Sequence, residues 1–107
     1  MTATLSVRKQ FTETPGPRYK TQGQWSGEAF RELLVEWLSK HDDVCVDLDG
    51  TAGYGSSFID ETFGGLVRSC GFNAADVLRR VTIKSDDDPT YKAEAIQAIE
   101  EAGAAKR

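Results

Sequence analysis

The chain has 107 residues, 13 Lys and Arg against 17 Asp and Glu, and a formal net charge of −4. With 39% hydrophobic and 28% charged residues and no repeat, the composition excludes a disordered or collagen-like chain and fits one globular domain over residues 1–107. The acidic balance provides no basic footprint for nucleic acid or an anionic membrane, no apolar run approaches the ~20 residues of a membrane span, and Met1 to Gln10 has no signal-peptide core. A cytoplasmic domain is expected, with neither membrane nor nucleic acid as partner.

Residues Thr4 to Phe11 partly alternate apolar and polar side chains and predict a half-buried strand. Thr14-Pro15-Gly16-Pro17 supplies turn chemistry, and a short second strand around Arg18 to Thr21 is expected to pair back as a hairpin. Ser26 is then a natural N-cap, Glu28 complements the positive helix end, and Trp25 with Phe30 fits a hydrophobic staple. Phe30, Leu33, Leu34, Trp37 and Leu38 recur at helical spacing and predict an amphipathic helix ending near His41.

Val44 to Leu48 reads as a strand, followed by a glycine-rich loop, Asp49 to Ser57. Ser57 is the favoured N-cap of a second helix, which has Asp60 and Glu61 in or near its first turn and a buried stripe of Ile59, Phe63, Leu66, Val67 and Cys70; Gly71 suits its C′ position. A turn or short helix over Asn73 to Leu78, a strand at Val81 to Lys84 and a last helix opened by Asp88-Pro89 complete the chain. Tyr91, Ile96 and Ile99 are the main apolar residues of that helix, and residues 102–107 are expected to be a frayed tail. The string β-(β)-α-β-α-β-α predicts an α/β domain with a core over about residues 5–100: a small mixed sheet of about four strands with about three main helices packed on it. Alternation alone leaves open whether the helices cover one face of the sheet or both.

Cys45 and Cys70 have no metal-ligand spacing and are expected to be buried thiols, so no metal is predicted; His41 is the only histidine. The informative segment is residues 50–57, Gly-Thr-Ala-Gly-Tyr-Gly-Ser-Ser, at the carboxyl end of a strand and the start of a helix, where α/β sheets commonly bind ligands. It has the outline of a phosphate-binding loop, but Ser56 stands where that loop needs lysine, which argues against nucleotide hydrolysis. A hydrolase elbow fails too, because Gly55 occupies the nucleophile position in one register and the other lacks the closing glycine. Capping explains Ser57 but leaves three glycines and Tyr54 without a reason. The alternative is a recognition loop, Gly53 to Phe58, with Tyr54 and Phe58 exposed and Ser56 or Ser57 open to phosphorylation. Arg18, just after Pro15 and Pro17, is either a solvent-facing hairpin side chain or an anion contact, while Asp86-Asp87-Asp88 reads as a solvated turn.

Asp47-Leu48-Asp49-Gly50, five further residues and Ser56-Ser57 resemble the STAS domain of anti-sigma factor antagonists. There the matching serine or threonine is phosphorylated by a partner kinase. Residues 47–68, together with Gly16-Pro17-Arg18, Gly23 and Ser26-Gly27-Glu28, are more closely similar to a STAS-like family of unknown function. Carried over position by position, Ser56 and Ser57 fall on the phosphoacceptor pair, Gly55 replaces the preceding Asp, and Phe58 replaces the following Gly. The resemblance implies helices mainly on one side of the sheet, no cofactor, and a non-enzymatic regulatory module working with a protein partner, an ATPase of the histidine-kinase type. The competing expectation is a small-molecule or nucleotide-binding domain that uses the same helix start without hydrolysis.

Overall fold

A computed structural model of the chain describes residues 2–105. Strand β1 covers Thr2–Ser6, β2 Asp43–Asp47 and β3 Val81–Lys84. Helix α1 covers Val7–Gln10, α2 Gly27–Lys40, α4 Ala74–Arg80 and α5 Pro89–Ala105. Helix α3 runs over residues 56–68 in three continuous pieces: α-helical Ser56–Ile59, a π-helical turn at Asp60–Gly64, and α-helical Gly65–Arg68.

The strands form one sheet in the order β1-β2-β3, and both pairings are parallel, with Leu5 opposite Val46 and Val46 opposite Ile83. The α/β class is as expected, but the sheet among the described residues is three-stranded and wholly parallel, with no N-terminal hairpin. Two local facts explain the difference. Val7 and Phe11 are four apart, which suits a helix as well as a strand, and the Ser6 hydroxyl accepts the Lys9 N–H at 3.1 Å, capping α1 and ending β1. Residues 16–18 then hydrogen-bond to the start of α2: Gly16 N–H to the Trp25 carbonyl, and the Gly27 and Glu28 N–H groups to the Pro17 and Arg18 carbonyls. Lys20–Gln22 is a 3-10 turn where a second strand was expected.

Helix starts follow the sequence at two of the three expected caps. The Ser26 hydroxyl accepts the Ala29 N–H at 3.0 Å, and Asp88 accepts the N–H and hydroxyl of Thr90. Gly71 follows α3 with φ +77°, one residue beyond the expected C′ position, because Ser69 is the C-cap and Cys70 comes next. The last helix extends to Ala105 and Ala102 is buried, so residues 102–105 are packed helix and not a frayed tail; Lys106 and Arg107 lie outside the described residues.

Burial alternates along the strands. Val44, Val46, Val81 and Ile83 are buried, whereas Thr4, Thr82 and Lys84 are exposed and Cys45 is half-buried. The helices therefore cover one face, and the other is an open polar surface on which Thr4, Cys45 and Thr82 lie abreast in register. Parallel sheets are ordinarily covered on both faces, so the polarity of this second face is what lets it meet water. Neither thiol is buried as expected: Cys45 points to the open face, and Cys70 is exposed beyond the end of α3.

Helix α3 is the hub of the helical layer, packed between α2 and α5, and from Phe58 to Val67 every residue except Asp60 is buried. Its core residues Phe58, Phe63 and Leu66 join Phe30 and Leu34 of α2 and Ile99 of α5. Close packing of α2 on α3 depends on small residues: a Cβ on Gly65 would stand 2.6 Å from Nη1 of Arg31.

Candidate functional site

The glycine-serine loop leaves β2 at the carboxyl end of the sheet and is fixed from both sides. Leu48 N–H continues the ladder by donating to the Lys84 carbonyl at 2.8 Å. Asp49 N–H then donates to Oδ1 of Asp47, and Gly50 turns the chain with φ +85°, a conformation a β-carbon strains. Gly50 N–H donates to Oδ2 of Asp87 at 2.8 Å, Asp87 N–H donates back to Oδ1 of Asp49 at 2.9 Å, and Lys84 Nζ reaches Oδ2 of Asp49 at 2.6 Å. Hydrogen bonds from the Asp87 backbone and from Lys84 hold the Asp49 carboxyl below the ordinary aspartate range. On the other side, Ala52 N–H donates to the Glu13 carbonyl. The aspartate run is thus a latch for the loop, with Asp86 paired to Lys84 at 3.0 Å, and only Asp88 serves as a cap.

Tyr54 closes the loop over the core. Its hydroxyl donates to the Leu48 carbonyl at 2.8 Å, and its ring lies 5.0 Å from that of Tyr91 and 5.4 Å from that of Phe58. It is half-buried, and burial pushes its phenol above the usual range. Phe58 is fully buried between Tyr54, Phe11 and Phe30. The expectation that Phe58 faces a partner is corrected: the residue after the serine pair anchors α3 in the core. Of the two aromatic side chains expected to be exposed, only part of Tyr54 is accessible.

Between these anchors, Gly55, Ser56 and Ser57 are exposed. Ser57 is not the N-cap. Gly55 holds that position, with φ −77°, and provides no side-chain cap, so both serine hydroxyls stand in the first turn without a capping role. Gly53 needs its lack of a side chain, since φ is +116° and a Cβ would meet the Tyr91 hydroxyl at 3.0 Å. Gly55 does not: its backbone suits any residue, and a Cβ there would meet nothing within 4 Å. The consequence of glycine at 55 is an open, uncapped helix start with two serines on it.

One turn further along lies a charge cluster that the sequence reading missed as a unit. Arg18 Nη1 reaches Oδ2 of Asp60 at 2.7 Å and Oε1 of Glu61 at 3.3 Å, so it is committed to the chain's own carboxylates and is neither a free anion contact nor a solvent-facing hairpin residue. Arg68 Nη2 holds Asp60 at 3.0 Å, and Arg31 pairs with Glu61 in the interior, where each residue is less than a tenth exposed. Burial pushes the Asp60 carboxyl upward, but hydrogen bonds from Arg18 and Arg68 outweigh it and leave the group below its ordinary value. Three arginines face these two carboxylates, while Glu94 and Glu101 of α5 line the surface beside Ser56 and Asp60 and add negative charge there. A signal existed for one partner: Arg31 is three and seven residues before Leu34 and Leu38, on the buried side of α2. The π-helical turn at Asp60–Gly64, which carries both carboxylates, had no readable signal.

Among the described residues no cluster of His, Cys, Asp or Glu suits a metal ion, and no helix is long and apolar enough to cross a membrane. A family model described as "STAS-like domain of unknown function (DUF4325)" matches residues 26–91, from the cap of α2 to the first turn of α5, including the glycine-serine loop. No match is found among curated proteins or among solved structures. Because the matched span is more than half of the chain, the protein belongs to the family of STAS-like domains of unknown function.

Proposed function

We propose that this STAS-like domain is a non-enzymatic regulatory module that presents residues 53–57 to a protein partner, an ATPase of the histidine-kinase type, and is switched by phosphorylation of Ser57 or Ser56. The observation that carries the reading is the exposed serine pair on a helix start with no side-chain cap, framed by a loop anchored through Asp87, Glu13 and Tyr54. In the proposed step a serine Oγ attacks the γ-phosphorus of ATP held by the partner, its proton is lost to base, and ADP leaves. The resulting phosphoserine carries about −1.5 to −2 charges, which the positive end of α3 favours. Asp60 and Glu61 would oppose that charge were they free, but their arginines already offset them. This reading goes with a cytoplasmic domain, where ATP is available.

The test is co-expression with a cognate ATPase of this type, followed by intact mass. A gain of one phosphate, lost in Ser57→Ala or Ser56→Ala, supports the switch and assigns the residue; an unchanged mass in the presence of active ATPase rejects it. A thermal-shift screen separates the competing reading. Stabilisation of the domain alone by a nucleotide indicates direct ligand binding, whereas stabilisation only by the partner protein indicates an interaction module.

A further inference from the structure

Strand β3 is an edge of the sheet, and its side chains Val81 and Ile83 are buried in the core. The Lys84 carbonyl faces β2, where it accepts the Leu48 N–H, so by strand alternation Thr82 also faces β2 while Val81 and Ile83 direct their backbone groups outward. The Val81 N–H is taken by the carbonyl of Val77 at the end of α4. The Ile83 N–H and carbonyl and the Val81 carbonyl have no hydrogen-bond partner among the described residues. They form a short ladder ready for another strand.

Alongside this edge runs a groove of about 210 Å³, walled by Leu78 of α4 and by Lys92, Ile96 and Ile99 of α5. Leu78 is 41% exposed, a large apolar side chain with nothing over it. Lys92 is the groove's one charged side chain, is exposed, and has no ion-pair partner among the described residues, unlike Lys84, which is held by Asp49 and Asp86. The groove's only charge among the described residues is thus positive and unpaired, which favours an acidic occupant.

We infer that the β3 edge is a docking site for an extended, acidic segment of a partner protein, which adds to the sheet as a fourth strand. Main-chain hydrogen bonds to Val81 and Ile83 supply the affinity. An apolar side chain resting on Leu78 and Ile96 and a carboxylate opposite Lys92 supply the selectivity. This surface is separate from the glycine-serine loop and does not depend on phosphorylation.

The probe is a capped peptide of about six residues, the usual strand length, in which valine and glutamate occupy alternate positions of one face with threonine between them, so that both reach the groove, added at millimolar concentration to the full chain labelled for amide NMR. Slowing of Ile83 amide exchange by about tenfold, with shifts confined to residues 78–85 and 92–99, is the expected result. A lysine-for-glutamate peptide should not do this, and Lys92→Glu, at an exposed position, should reverse the preference between the two peptides. The inference is overturned if Ile83 exchange is unchanged, or if an N-methylated peptide that cannot pair acts equally well. It is also overturned if the same amides shift with protein concentration alone while sedimentation reports a dimer, since the edge then belongs to a second copy.

Discussion

At its first turn α3 carries exposed serines and no side-chain cap, whereas one turn later Glu61 lies buried against Arg31 and receives a second arginine, Arg18. The two regions are neighbours on one helix, yet they satisfy polar groups in opposite ways. In the interior every charge needs a partner, because an unpaired ion away from water is costly. At the exposed turn water can serve the free N–H groups, so the chain tolerates a glycine where a capping side chain would fit. The difference separates what this helix needs in order to fold from what it leaves available to a partner.

The largest break in that comparison is Glu61→Leu, which strands Arg31 in the core. A loss of about 3–5 kcal/mol is expected, with partial recovery in the double variant Arg31→Met/Glu61→Leu, measured by urea unfolding. Next, Gly50→Ala forces a β-carbon into φ +85° and to within 2.6 Å of the Arg8 Cδ, and should cost about 1–2 kcal/mol. Smaller still is the acid response of the loop latch. Asp49 is held below its ordinary range, so its stabilisation is complete above about pH 4 and is lost as pH falls through the folded value. Asp49→Asn should flatten the acid limb of a Tm-against-pH curve. The smallest effect is Ser57→Ala, expected within about 0.5 kcal/mol of the parent because Ser57 caps nothing; a loss near the ~1 kcal/mol of a true N-cap would show that the hydroxyl does structural work.

The parts of the fold that were legible are those where one period dominates. Phe30, Leu34 and Leu38 announced α2, Ser26 and Asp88 announced their caps, and Val44 and Val46 announced the central strand. The N-terminal hairpin was misread because Val7 to Phe11 fits two periods and because Gly16 to Arg18 finds its partners in residues 25–28, a pairing outside any strand pattern. At the site, the loop and its serine pair were located from glycine content, but the cap was assigned to the wrong residue. A serine reads as a stronger cap than a glycine, and a one-residue shift of the helix start is invisible to propensity. Phe58 was placed on the surface because the predicted stripe assumed one buried face. A helix packed between two others has a second, which also explains the burial of Glu61 and Thr62.

The unequal surroundings of the two thiols give the protein a built-in labelling site. Burial pushes the Cys45 thiol upward and keeps it poor in thiolate, whereas Cys70 is exposed. A brief maleimide reaction near neutral pH should therefore modify Cys70 first. Cys70 lies past the far end of α3, about 20 Å along the helix from the serines at 1.5 Å per residue. A dye there would report a partner's arrival at the loop without occupying the surface the partner needs.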